Sequence, residues 1–131
     1  MAKIPNPTEG ELAILRVLWR QQAPMTVREV HDALTRTKDT AYTTVLKMLT
    51  IMAEKGLVRR DESERSHTYT PKQAEELVQS SLLNDLMQRA FSGSAFDLVQ
   101  RALDSTKTSP EELEAISKLI AKAKAKAKRE S

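Results

Sequence analysis

Four times in this chain a hydroxyl side chain is followed three positions later by Glu or Gln: Thr8 with Glu11, Thr26 with Glu29, Thr70 with Gln73 and Ser109 with Glu112. At a helix start this spacing lets two side chains satisfy two orphan backbone donors reciprocally. Pro71 and Pro110 follow directly in two of the cases, and proline suits the first helical position because no N–H is needed there. Helices are therefore expected to begin near residues 9, 27, 71 and 110.

Apolar spacing fills in the elements. Leu12, Leu15 and Trp19, with Ile14 and Leu18 beside them, form the wide stripe of a helix over about 9–20, which Ala23-Pro24 ends. Val27, Val30 and Leu34 mark a short amphipathic helix to about Arg36. Val45, Met48, Leu49 and Met52 recur at i, i+3, i+4 and i+7 in a helix over 41–55, whose opposite face reads as polar and which Gly56 stops. The pattern then changes. Leu57 to Arg60 and His67 to Thr70 are β-prone runs around a polar turn, which predicts a two-stranded hairpin. Beyond it the chain reads as helical over about 71–91, 95–104 and 110–128, with a break at Ser92-Gly93-Ser94.

Composition narrows the function classes. There is no cysteine, which excludes disulfides, thiolate metal sites and a cysteine nucleophile and fits a reducing compartment. The first residues lack an apolar leader core, and no run approaches the roughly 18 apolar residues that span a bilayer. A cytoplasmic protein without membrane insertion is expected. His31 and His67, the two histidines, lie on different elements without metal-ligand spacing. No phosphate loop or nucleophile elbow is present. An enzyme, a bound metal and a cofactor are not expected.

Three helices and a hairpin in about 70 residues follow the order of a winged helix, in which the third helix enters the major groove and the hairpin lies along the backbone. The fold class is thus mainly α, with an α+β winged helix over 1–71 and a three-helix dimerisation region with a basic tail over 72–131. Thr40, Tyr42, Thr43, Thr44 and Lys47 crowd the opening of the third helix, where hydroxyls and an ammonium can reach phosphates and base edges. The wing adds Arg59, Arg60, Arg65 and His67, diluted by Asp61, Glu62 and Glu64. Residues 1–71 carry 11 basic and 9 acidic side chains. So modest an excess leaves a second class open, a winged helix that binds another protein and not DNA.

Several segments resemble the penicillinase-repressor (BlaI/MecI/CopY) family of bacterial transcription factors. They are Pro7-Thr8-Glu9-Gly10-Glu11-Leu12 through Val17-Leu18-Trp19, Val27-Arg28-Glu29-Val30, Ala41-Tyr42-Thr43-Thr44-Val45 through Glu54-Lys55-Gly56-Leu57-Val58, Tyr69-Thr70-Pro71, and Ser109-Pro110-Glu111-Glu112. The resemblance covers residues 4–120. It implies a homodimeric repressor on a pseudo-palindromic double-stranded operator. Ala41 to Lys55 is then the recognition helix, with Thr43, Thr44 and Lys47 as readers and Tyr42 near the backbone. Arg60, Arg65, Ser66 and His67 become wing contacts.

A winged helix does not need the amphipathic helices that follow, and their stripes exceed what one small domain can cover. Leu82, Leu83, Leu86, Phe91, Phe96, Val99, Leu103, Leu113, Ile116 and Ile120 are the candidates for a two-fold interface. In the sensor-regulated branch of the family a membrane protease cuts after Asn and before Phe in the fifth helix. Arg101 and Ala102 occupy that position here, so cleavage and the sensor partner are expectations carried by position and not by matching side chains. Induction through a cysteine cluster, as in the copper-responsive branch, is excluded by composition.

Overall fold

A computed structural model describes residues 4–131; Met1 to Lys3, part of the segment read above for a leader, lie outside the described residues. The elements are α1 (Glu9–Gln21), β1 (Met25–Thr26), α2 (Val27–Thr35), α3 (Tyr42–Lys55), β2 (Val58–Asp61), β3 (Thr68–Pro71), α4 (Glu75–Phe91), α5 (Ala95–Ser105) and α6 (Pro110–Glu130). They fall into two compact units, the first ending at Asp85 and the second starting at Leu86.

In the first unit, α1 and α2 both open on complete capping boxes. Thr8 N–H donates to Glu11 Oε1 at 2.9 Å while Glu11 N–H donates to Thr8 Oγ1 at 3.2 Å. Thr26 and Glu29 repeat the pair at the same two distances. The core gathers Ile14, Leu15 and Leu18 of α1, Val27 and Val30 of α2, and Val45, Leu49 and Met52 of α3, closed from the sheet side by Leu57, Val58 and Tyr69. Leu12 and Trp19, read as part of the buried stripe, are only half-buried, because its centre runs through Glu11, Ile14, Leu15 and Leu18.

The sheet has three antiparallel strands in the order β1-β3-β2, so the expected two-stranded wing gains a third member. β1 pairs Met25 with Tyr69 and Thr26 with Thr68. Two residues are too short to show an alternating pattern in sequence. A second correction concerns α4, which starts at Glu75 and not at Pro71. Thr70 and Pro71 are held in β3 opposite Arg59 and Val58, and Lys72 N–H continues the pairing to the Leu57 carbonyl at 3.0 Å. Proline without an N–H suits the end of this strand as well as a helix start, and strand pairing decides between them. Gln73 does not cap a helix. Its carbonyl accepts from Trp19 Nε1 at 3.1 Å, and helical bonding begins with Leu77 and Val78 donating to Ala74.

In the second unit, α4 ends where Gly93 (φ 80°) donates back to the Met87 carbonyl at 2.9 Å, a Schellman-type closure that favours glycine. Ser94 and Ser109 cap α5 and α6 by accepting from Asp97 N–H and Glu112 N–H. Neither α5 nor α6 has a buried residue.

Glu11 ties the first unit together. It is 5% exposed, and Lys55 Nζ, from the last turn of α3, donates to its Oε1 at 2.8 Å. Burial alone pushes the carboxyl up; the Lys55 hydrogen bond, the Thr8 N–H and the Lys55 charge outweigh it and hold the group below the ordinary glutamate range. A carboxyl whose folded pKa is lowered stabilises the fold above its unfolded pKa of about 4.3, and that contribution is lost as pH falls through the folded value. Glu11→Gln keeps the capping geometry and removes the charge. It should cost roughly 1 kcal/mol at pH 7, and the gap to wild type should close in urea titrations carried down through pH 4. A gap independent of pH would refute the pairing.

Candidate nucleic-acid interface

The buried positions of α3 dictate its outer face. Val45, Leu49 and Met52 are 0% exposed, so at 3.6 residues per turn Thr43, Leu46, Lys47 and Thr50 turn away from the core. Thr43, Thr44 and Lys47 are exposed. Thr44 also lines a cavity of about 590 Å³ with Gly10, Leu34, Thr40 and Met48. The polar outer face expected from sequence needs correction: Leu46 is 42% and Ile51 39% exposed on it. Both lie one step off the Val45, Leu49, Met52 stripe, which was the signal available. Apolar groups beside Thr43 and Lys47 suit contact with thymine methyls.

The helix opening is built differently from its neighbours. Thr8, Thr26, Ser94 and Ser109 cap α1, α2, α5 and α6 with their side chains, whereas Ala41 at the start of α3 provides no side-chain cap. Its first amides are left without the oxygen that the other four helices supply, which suits an external acceptor such as phosphate. Thr40 is half-buried and its hydroxyl turns back to the Lys38 carbonyl at 3.3 Å.

Tyr42 is held in place by α2. Its ring meets that of His31 edge-on at 5.8 Å, and the Arg28 guanidinium lies 4.7 Å from its centroid. Arg28 and His31 stand one turn apart on one helix face, a spacing visible in sequence but without meaning until α2 and α3 are packed together. This contact brings a second exposed cation to the opening of α3, and sequence reasoning missed it. His31 and His67 are not brought together; His31 also pairs with Asp32 at 3.2 Å.

On the wing, Arg65, Ser66 and His67 are exposed in the turn between β2 and β3. Arg60 is engaged by Glu62, Nε to Oε1 at 3.1 Å. Hydrogen bonds from Ser63 hold the Asp61 carboxyl below its ordinary range, so the wing tip keeps its negative charge. Arg59 lines a separate cavity of about 730 Å³ with Lys72 and Glu54.

A sequence profile described as penicillinase repressor matches residues 7–122. The chain belongs to the penicillinase repressor family. It is 40% identical over 95 residues to the transcriptional regulator BlaI of Mycobacterium tuberculosis, an alignment covering 72% of this chain and 69% of that protein. It is 24% identical over 120 residues to the penicillinase repressor of Bacillus licheniformis, covering 92% and 93%. Among solved structures it is similar to monomeric B. licheniformis BlaI in complex with the blaP half-operator, with 29% identity, a TM-score of 0.50, and coverage of 58% of this chain and 92% of that one. The DNA-binding domain of the repressor BlaI matches at the same identity and score over 57% and 90%. The family is one of repressors and not of enzymes, and these two relatives are named as a transcriptional regulator and a penicillinase repressor.

Stability measurements separate the residues that build this surface from those that only present themselves on it. Tyr42→Ala should lower the unfolding free energy by about 1 kcal/mol, since the Arg28 and His31 side chains then have no ring to pack on. Thr43→Ala and Lys47→Ala should stay within about 0.5 kcal/mol of wild type. Thermal unfolding of the three variants checks the contrast.

Proposed function

We propose that this chain is a DNA-binding transcriptional repressor, acting in the cytoplasm as a homodimer on a pseudo-palindromic operator. The observation that carries the reading is the outer face of α3: Thr43, Thr44 and Lys47 exposed beside an uncapped helix start, in a fold whose relative is solved on a DNA half-operator. Residues 1–71 form the reading head. Thr43, Lys47 and Leu46 read base edges in the major groove; Ala41, Tyr42 and Arg28 meet the backbone; Arg65, Ser66 and His67, with Arg60 once released from Glu62, follow the wing along the phosphates.

Dimerisation through 72–131 is supported by what the single chain leaves uncovered. Leu83, Leu86, Phe96, Val99, Leu103, Leu113 and Ile120 are all at least 40% exposed, Phe96 reaching 74%. Leu82, Phe91 and Ile116 are half-buried. An apolar surface of this extent marks an association site, and a symmetric dimer presents two heads to two half-sites. Linkage makes the second contact intramolecular, which compensates for a reading head of small net charge. Release then follows from damage to the dimerising half. Arg101 and Ala102 are exposed on α5, and a cut there, by a membrane sensor protease or another enzyme, would detach α6 with its share of the interface.

Two measurements test the reading on a site selected by the protein itself from a random duplex library. Lys47→Ala and Arg65→Ala should each weaken binding about 10-fold or more and make the log-log salt dependence shallower by about one unit for every phosphate the variant no longer neutralises. Unchanged binding would favour a protein-binding role for the winged helix. Phe96→Asp should yield a chain that sediments as a monomer, with apparent affinity for the full site at least about 100-fold lower; a dimer of undiminished affinity would remove α5 from the interface.

A further inference from the structure

The last helix has two different parts. Leu113, Ile116, Leu119 and Ile120 form its apolar stripe, and after Ile120 no apolar residue larger than alanine occurs. Residues 121–131 instead hold Lys122, Lys124, Lys126, Lys128 and Arg129 against Glu130 alone. The helix nevertheless continues to Glu130, and every residue from Ala121 onward is exposed. None of the ion pairs among the described residues involves these cations. At 100° per residue, Lys122, Lys126 and Arg129 share one side while Lys124 and Lys128 lie opposite, with alanines between.

Three ordinary explanations fall short. Favourable interaction with the helix dipole fades within the last turn, which accounts for Lys128 and Arg129 but not for Lys122 or Lys124. Charge-pair support needs acidic partners at i±3 or i±4; only Lys126 has one, Glu130 at i+4 in the weaker order, and the two form no ion pair. An amphipathic membrane helix or a helix seated in a protein groove needs large apolar anchors along one face, and here both sides are basic. What remains is a rod of positive charge with cations around its circumference, whose attraction is coulombic and whose fitting partner is a polyanion. The family match ends at residue 122, so of these cations all but Lys122 lie beyond it.

We propose that the basic end of α6, Lys122 to Arg129, is a second DNA contact that binds the phosphate backbone without reading sequence. The inference rests on the chain being a DNA-binding protein, since the polyanion already bound to the head is then DNA. The contact supplies affinity that depends on duplex length and salt, while α3 supplies the choice of site.

The test uses the full chain and a variant with Lys122, Lys124, Lys126 and Lys128 all replaced by Gln, a good helix former. A third protein carries Arg at the four positions. Binding is measured by fluorescence anisotropy to the selected site in a 30-base-pair duplex, to the same site within 80 base pairs, and to a scrambled 80-base-pair duplex, from 50 to 200 mM salt. Wild type should gain about 10-fold from the longer duplex, and the Gln variant should show no such gain. Its log-log salt slope should be shallower by about one unit for each phosphate left unneutralised, up to about four per chain. The Arg variant should behave as wild type. Discrimination between selected and scrambled duplexes should be equal in all three; its absence in wild type would overturn the repressor reading instead. Equal affinities and slopes for wild type and the Gln variant would overturn the second contact. So would a Gln-sensitive association with vesicles containing one-third anionic lipid without any effect on the 80-base-pair duplex.

Discussion

Burial of one face of α3 is the constraint from which the rest follows. Val45, Leu49 and Met52 pack fully against α1, α2 and the sheet, and a helix pinned along one side has no freedom over what it shows on the other. Thr43, Lys47 and Leu46 are presented to solvent because of where the core residues lie, not because of any interaction of their own. The ends of α3 are secured separately: Arg28 and His31 hold Tyr42 at its start, and Glu11 holds Lys55 at its end. A reading surface on a helix fixed in rotation and at both termini loses little entropy on binding, which suits specific contact over adaptive contact.

The two units solve opposite problems. The first buries a core to which β1, the hairpin and three helices all contribute, while leaving Leu46 and Ile51 exposed on α3. The second leaves α5 and α6 without a buried side chain, which is what the proposed dimer would cover. In the proposed function, coupling such a half to a self-contained head would make DNA affinity responsive to whatever happens in the helical half, without altering the head. The charge distribution follows the same division: a slight positive excess over 1–71, a negative excess over 72–120, and a concentrated positive end.

Local chemistry was legible in the sequence, and pairings across the fold were not. Capping at Thr8, Thr26 and Ser109, the stop at Gly56 and the break at Ser92-Gly93-Ser94 depend on residues within a turn of one another; that Ser94 also caps α5 came only with the structure. The start of α4 misled because Thr70, Pro71 and Gln73 carry a helix-start pattern while β2, more than ten residues earlier, claims Thr70 and Pro71 for the sheet. β1 is too short for any periodic signal. The Glu11–Lys55 bond spans 44 positions, and the Arg28, His31 and Tyr42 cluster exists only once α2 and α3 are packed. At the candidate interface the exposure of Thr43, Thr44 and Lys47 could be named in advance; Leu46 and Ile51 were hidden because apolar residues in a helix are assigned to the core by default, and α3 has more of them than its inner face can take.

Hydroxyl-radical footprinting of the full chain on its selected site tests the central claim most directly, because it reports how many heads touch the duplex and how far apart. The account predicts two symmetric protected patches whose centres lie about one helical turn, roughly 10 base pairs, or a whole multiple of it apart. A single patch at saturating protein would contradict it.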